Sequence, residues 1–333
     1  MAAQWKSMLG GAAVAALLII PAAAGDGGGG WIMGPWRSFS VASVKVDSVV
    51  GRLRVEVKPQ TQIGVQVSGT KDRVGHVTVY QSGNQVVVEG ENREAVWDWH
   101  TWFDFSAHNQ SAKDIDVHIV LPKGTALHVE EMVGDATIGD TEGDVHFEAV
   151  DSNTTIGHVH EAHLTMAGSG KIAVTQIDGD LHLDIAGSGR VKTGSARAVH
   201  ADIAGSGSAD LGIIRELHLD IAGSGDFSAQ RVNGPVNVDI MGAGSVNIRE
   251  GVADPLHLDI AGAGNFVFGG EAVDPHISAL GSGSVKLRSY RGKLSSDGMA
   301  DVKVGAEGFA PAPPAPPAPP APPRSPKHSD DDD

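Results

Sequence analysis

Apolar and polar residues alternate with a period of two along most of this chain, and glycine or proline interrupts the alternation at short intervals. Residues 38–90 show this first, in runs such as "VKVDSVVGRLRVEVKP" and "QVVVEG". Side chains point to opposite faces at successive positions of a strand, so these runs predict half-buried strands closed by turns. Beyond the first twenty residues no long stretch carries an apolar period of 3.6, and the expectation is an all-β protein.

From Leu121 onward a longer period is superimposed on the alternation. The phrase "HLDIAGSGR" ends at Arg190, and close copies end at Ser208, Asp226 and Asn265. The glycine that opens each corner falls at Gly168, Gly187, Gly205, Gly223, Gly242, Gly262 and Gly281, in steps of 19, 18, 18, 19, 20 and 19 residues. Looser copies, "LHVEEMVGDATIG" and "VHFEAVDSNTTIG", precede them. A fixed period of this length predicts a single-stranded parallel β-solenoid (β-helix) of about 19-residue rungs, each burying its apolar face only by stacking on its neighbours. Leu217, Leu219, Ile221, Gly223, Gly225, Phe227 and Ala229 share one parity, which assigns them to the interior and places both corner glycines on that inward face. A phosphate-cradling role for the Gly-Ser-Gly phrase would need a helix N-terminus after it, and none follows.

The opposite parity writes columns on the outside. One reads His128, His146, His163, His182, His200, His218, Asn237, His257, His276; the next reads Glu130, Glu148, Thr165, Asp184, Asp202, Asp220, Asp239, Asp259, Ser278. Eight of the 15 histidines stand in the first file. Three readings compete. A Ser-His-Asp triad is disfavoured because positions i and i+2 of a strand lie about 6.7 Å apart, beyond hydrogen-bond reach. Divalent metal binding, by Ca²⁺ or Zn²⁺, would use His182, Asp184, His200, Asp202, His218, Asp220, Asp239, His257 and Asp259 across rungs about 4.8 Å apart. The preferred reading is a solvated polar ladder with no cofactor, in which stacked carboxylates repel by only about 1 kcal/mol in water.

Composition changes the picture at the ends and in one loop. Residues 1–24, with Lys6 ahead of an apolar run at 8–20 and Ala22–Ala24 as a small-residue cleavage signal, predict a signal peptide, with no transmembrane segment after its removal. A Gly-rich linker (25–37) leads into a β-rich region (38–120) and the repeats (121–305). A Pro-rich, acidic tail (306–333) with the polyproline stretch "APAPPAPPAPPAPP" should remain disordered. The formal net charge of −16 disfavours nucleic-acid partners, and the absence of cysteine excludes disulfides and a lipidated cysteine. "WDWHTWFDF" concentrates Trp97, Trp99, Trp102, Phe103 and Phe105 in a chain otherwise poor in aromatics. It reads as a partner-binding platform for a glycan, membrane or envelope protein, or as a loop capping the open end of the stack.

The strings "GDLHLDIAGSGRV" (179–191) and "LHLDIAGSGDF" (217–227) resemble the putative auto-transporter adhesin, head GIN domain family. Upstream, "VGRLRVEV", "IVLPKGTALHVE" and "VGDATIGDTEGDV" are similar to the related putative-adhesin β-repeat family, and together the likeness covers residues 38–305. It implies an exported bacterial β-solenoid, periplasmic or at the cell surface, that acts as a non-enzymatic adhesion-like or envelope scaffold module. No catalytic residue comes with it. No autotransporter β-barrel is visible here, so surface display does not follow. The rivals are a cation-binding envelope protein and, further off, a polysaccharide-active β-helix enzyme. Such enzymes grow long loops from a few rungs, whereas the clear rungs here stay within 18 to 20 residues.

Overall fold

A computed structural model describes residues 30–90, 115–298 and 301–305. It is a parallel β-solenoid of about nine turns with rungs about 19 residues apart. One face carries the histidine and acid columns. On it the strand Leu181–Gly187 pairs with residues 199–205 of Ala196–Gly205 in unbroken register, His182 on His200 and Asp184 on Asp202. The same register continues through Ser208–Gly223, Asp226–Gly242 and Ser245–Gly262 to His276–Gly281. The second face stacks in parallel as well, Arg190–Thr193 on residues 208–211 and those on 226–229.

The interior follows the parity of the sequence. Leu217, Leu219, Ile221, Phe227 and Ala229 are each 1% exposed. Stacking converts each inward position into a column whose volumes must be shared between rungs. Ile185, Ile203, Ile221, Ile240 and Ile260 form one such file. In another, Ala209 lies under Phe227, Val246 separates Phe227 from Phe266, and Val285 follows, so each large ring sits between smaller neighbours.

The two glycines of a corner do different jobs, which differs from the single inward role read from parity. Gly223 has φ +125°, and a Cβ there would lie 2.5 Å from the carbonyl oxygen of Gly205 on the previous rung. Its side-chain direction points along the stack, where the next backbone already is. Gly225 is the inward one: a Cβ there would lie 2.5 Å from Ile203 Cγ2. Parity places both on one face only if the strand runs straight, and the positive φ rotates the first out of it. The corner closes with backbone bonds between rungs, Ser224 N–H donating to Gly205 O at 2.8 Å and Asp226 N–H to Gly207 O at 3.0 Å.

At the N-terminal end the stack begins with Ser43–Asp47 and Val50–Val57, which pair in parallel with 126–130 and 133–138 of the strand Ala126–Ile138. Gln85–Glu89 and Ile115–Leu121 extend the two faces by one more strand each. Antiparallel strands then close the edge: Thr78–Ser82 on Gln85–Glu89, and Ile63–Thr70 on Ile115–Leu121, with Trp31–Met33 and Arg37–Phe39 beyond. This change of direction stops further parallel addition on that side. The Trp-rich segment 97–105 and the terminal segments 1–24 and 306–333 lie outside the described residues. Among the described residues no helix is long and apolar enough to cross a membrane.

The stacked interior makes a sharp stability prediction. Ile221→Asp places an unpartnered charge inside the coil and should cost about 4 kcal/mol or more, while the outward Asp220→Ala should change stability by less than about 1 kcal/mol. Thermal melts of the two variants beside the parent check this; equal losses would contradict the inward and outward assignment.

Candidate functional site

The face built by the histidine phrase presents three parallel columns, because the register never slips between its rungs from Leu181 to Gly262. The imidazoles pile on one another: ring centroids are 4.4 Å apart for His163 and His182, 5.1 Å for His182 and His200, and 5.8 Å for His200 and His218. Asn237 interrupts the file, and His257 and His276 resume it at 6.1 Å. At the N-terminal end Lys45 occupies the histidine position and Asp47 the acid position. Lys45 Nζ lies 2.7 Å from Glu130 and 3.3 Å from Asp47, closing the acid column with a cation.

The acid column is continuous from Asp184 through Asp202, Asp220 and Asp239 to Asp259. Partial burial, and then the like charge of Asp220 with Asp184 on the other side, hold the Asp202 carboxyl above the usual carboxylate range. Asp239 is raised in the same way, by burial and then by Asp220 and Asp259. Burial followed by the neighbouring His146 pushes the His128 imidazole down. At these three positions burial and a like-charged neighbour both disfavour the charged form.

The third column, Ala186, Ala204, Ala222, Met241, Ala261 and Leu280, is exposed throughout. Met241 and Leu280 are 64% and 68% exposed, so the face is amphipathic, with an apolar strip running beside the carboxylates. The alternation that revealed the other two columns contained this one also.

The structure corrects the spacing argument used against a His–acid hydrogen bond. His146 Nε2 lies 2.9 Å from Glu148 Oε1, two residues along the same strand, and His218 Nε2 lies 3.9 Å from Asp220. Backbone spacing sets where side chains start, and flexible side chains cover the difference. These pairs recur on an open strand face without a shared concave pocket, so the contact supplies no nucleophile geometry. A groove of about 640 Å³ at the second face is lined by Arg54, Glu56, Lys123, Asp140 and Glu142 among others. Its charges are engaged with neighbours, Lys123 with Glu142 at 2.7 Å and Glu56 with Lys58 at 2.7 Å.

Of the nine residues proposed from sequence as metal ligands, the five rungs from 182 to 259 keep all in columns. Among the described residues, only His182 of the nine enters a group of three donors within 4.8 Å of one another. That group includes Glu161 and His163, which the sequence reading did not select. At the capping end Trp31 and Trp36 are half exposed, and Trp36 meets the ring of His118 edge-on at 5.1 Å.

The raised Asp202 fixes the sign of a pH effect. A carboxyl with a higher value in the folded state binds more protons there, so its penalty is absent at low pH and grows as pH rises through the folded value. Asp202→Asn removes that penalty and should raise the melting temperature at pH 7, by the equivalent of under about 1 kcal/mol of stability given the solvent exposure. The advantage should vanish near about pH 3, where ordinary aspartate is protonated as well; an advantage that persists unchanged at that pH would contradict the like-charge account.

The family model described as "Putative auto-transporter adhesin, head GIN domain" matches residues 45–251, more than half of the chain. No curated protein matches the sequence. Among solved structures, a putative adhesin from Parabacteroides distasonis is similar at 16% identity and a TM-score of 0.41, over 83% of this chain and 97% of that one. A putative adhesin from Bacteroides fragilis is similar at 15% identity and a TM-score of 0.37, with the same coverage. A putative cell adhesion protein from Clostridium sporogenes shares 6% identity at a TM-score of 0.23, over 59% of this chain and 99% of that one. With the repeat, the register and the family match in hand, this chain belongs to the putative auto-transporter adhesin, head GIN domain family.

Proposed function

We propose that this protein is an exported, non-enzymatic adhesion-like module of the bacterial envelope that meets an extended partner, a surface glycan or envelope protein, through its three-column face. The observation that carries the reading is the repetition itself. His, Asp and a small apolar side chain recur in register from rung to rung along one flat face. A catalyst concentrates its chemistry in one concave pocket, whereas a repeated face offers the same weak contact many times over. The apolar column beside the imidazoles and carboxylates gives that face both hydrophobic and hydrogen-bonding capacity, the mixture found at protein contact surfaces. Export is supported by the signal-like segment 1–24.

Expression of the full chain in a bacterial host should give an exported product whose N-terminus begins at Gly25. The purified product should bind isolated cell envelopes, and a variant carrying Asp184→Asn, Asp220→Asn and Met241→Glu should bind at least about tenfold more weakly through lost multivalency. Protease treatment of the envelopes separates a protein partner from a glycan. Retention in the cytoplasm with Met1 intact, or envelope binding indifferent to the face variant, would overturn the proposal.

A further inference from the structure

The geometry points to a zinc-class metal site at the corner "HVHEAH", residues 158–163, with Glu161, His163 and His182 as its protein ligands. The hexapeptide places three of the chain's 15 histidines and one glutamate in six positions. It spans the turn between the strands Val145–Val159 and Ala162–Met166, so Glu161 stands at the edge of the histidine face, beside the column in which His163 stacks on His182. Stacking then brings donors from the rungs on either side. Glu161, His163 and His182 each offer a ligand atom, all within 4.8 Å of one another, and Asp144, His160 and Glu161 form a second such group that shares Glu161.

Individual contacts define the cluster. His163 Nε2 lies 3.3 Å from Glu161 Oε1, and His160 Nδ1 lies 2.9 Å from Asp144 Oδ1. The rings of His163 and His182 stack at 4.4 Å with 13° between their planes, the closest imidazole pair of the column. Both rings are half-buried on the outer face, where rotation about their side-chain torsions would turn both nitrogens toward one ion. The surroundings isolate these groups. On one flank Asp178 is engaged by His158 at 2.8 Å, and on the other Asp180 is engaged by Arg197 at 2.7 Å. Asp144 and Glu161 have imidazoles, not Lys or Arg, as their ion-pair partners.

Donor chemistry selects the ion. Two imidazoles and a carboxylate match the three-ligand set of an open zinc site, with the fourth position left to water or to a partner's side chain. Calcium prefers six to eight oxygen ligands and gains little from imidazole. An acid also stands two residues before the column histidine at Asp144, Asp180, Glu216 and Asp274. Among the described residues, however, only Glu161, His163 and His182 bring ligand atoms of two imidazoles and a carboxylate within 4.8 Å of one another.

The test uses the untagged full chain titrated with zinc, calcium and magnesium at matched ionic strength, and with cobalt as a spectroscopic probe. The variants are Glu161→Gln and His163→Asn, the latter copying the residue that the column itself carries at Asn237. A control combines Asp184→Asn, Asp202→Asn and Asp220→Asn. Far-ultraviolet circular dichroism verifies that all retain the fold. The parent should bind zinc saturably at micromolar concentration, rise in melting temperature with it, and give visible cobalt bands of low-symmetry coordination. Each single variant should weaken zinc binding by at least about tenfold, as expected for loss of one of three ligands, while the triple control binds as the parent does. Absence of saturable zinc binding in the parent, retention in both single variants, or equal loss in the control would overturn the site.

Discussion

Everything in this molecule rests on one backbone constraint: each rung must lie in hydrogen-bonding contact with the next around its corners as well as along its flat faces. At a corner the chain turns while its neighbours sit about 4.8 Å above and below, so no side chain can project along the stack. Gly223 meets that demand with a positive φ and a Cβ position already occupied by Gly205 O. Gly225 meets a second demand, since the isoleucine file fills the space its side chain would take. Once both are met, the Ser224 and Asp226 amides bond to the rung before, and the phrase can be repeated without change.

That constraint also explains the regularity of the outer face. Because the corner fixes the start of each strand, His182, His200 and His218 fall directly over one another, and so do Asp184, Asp202 and Asp220. A column of like groups is the direct result of repeating a phrase in register. Burial first, and then the like charges above and below, hold the carboxyls of Asp202 and Asp239 above the usual range. Screening by solvent keeps the electrostatic penalty small, and the exposed Ala, Met and Leu positions of successive rungs lay an apolar strip beside the acids.

The sequence made the period, the parity and the columns readable because all three are local or strictly periodic. The burial of Leu217, Leu219 and Ile221 and the stacking of the histidines follow from counting alone. The separate tasks of Gly223 and Gly225 were not readable, since they depend on a backbone rotation that alternation cannot express. The place of Ser43–Val57 in the parallel stack was hidden because nearly seventy residues intervene before its partner strand, breaking the period. The cluster at residues 158–163 escaped for a related reason. Its ligands come from two adjacent rungs, and Glu161 lies off the columns that drew attention. The aromatic platform at residues 97–105 lies outside the described residues.

The central claim is that the Gly-Ser-Gly phrase is a structural corner whose glycines, not its serine, are indispensable. The most direct measurement is a set of thermal melts on Gly223→Ala, Gly225→Ala and Ser224→Ala. A methyl at 223 meets a backbone carbonyl in a left-handed conformation, and one at 225 overpacks the isoleucine file, so each should cost about 2 kcal/mol or more. Ser224 is exposed, and its replacement should lie within about 0.5 kcal/mol of the parent. Neutral glycine variants beside a destabilising Ser224→Ala would contradict the account and return the phrase to the status of a site.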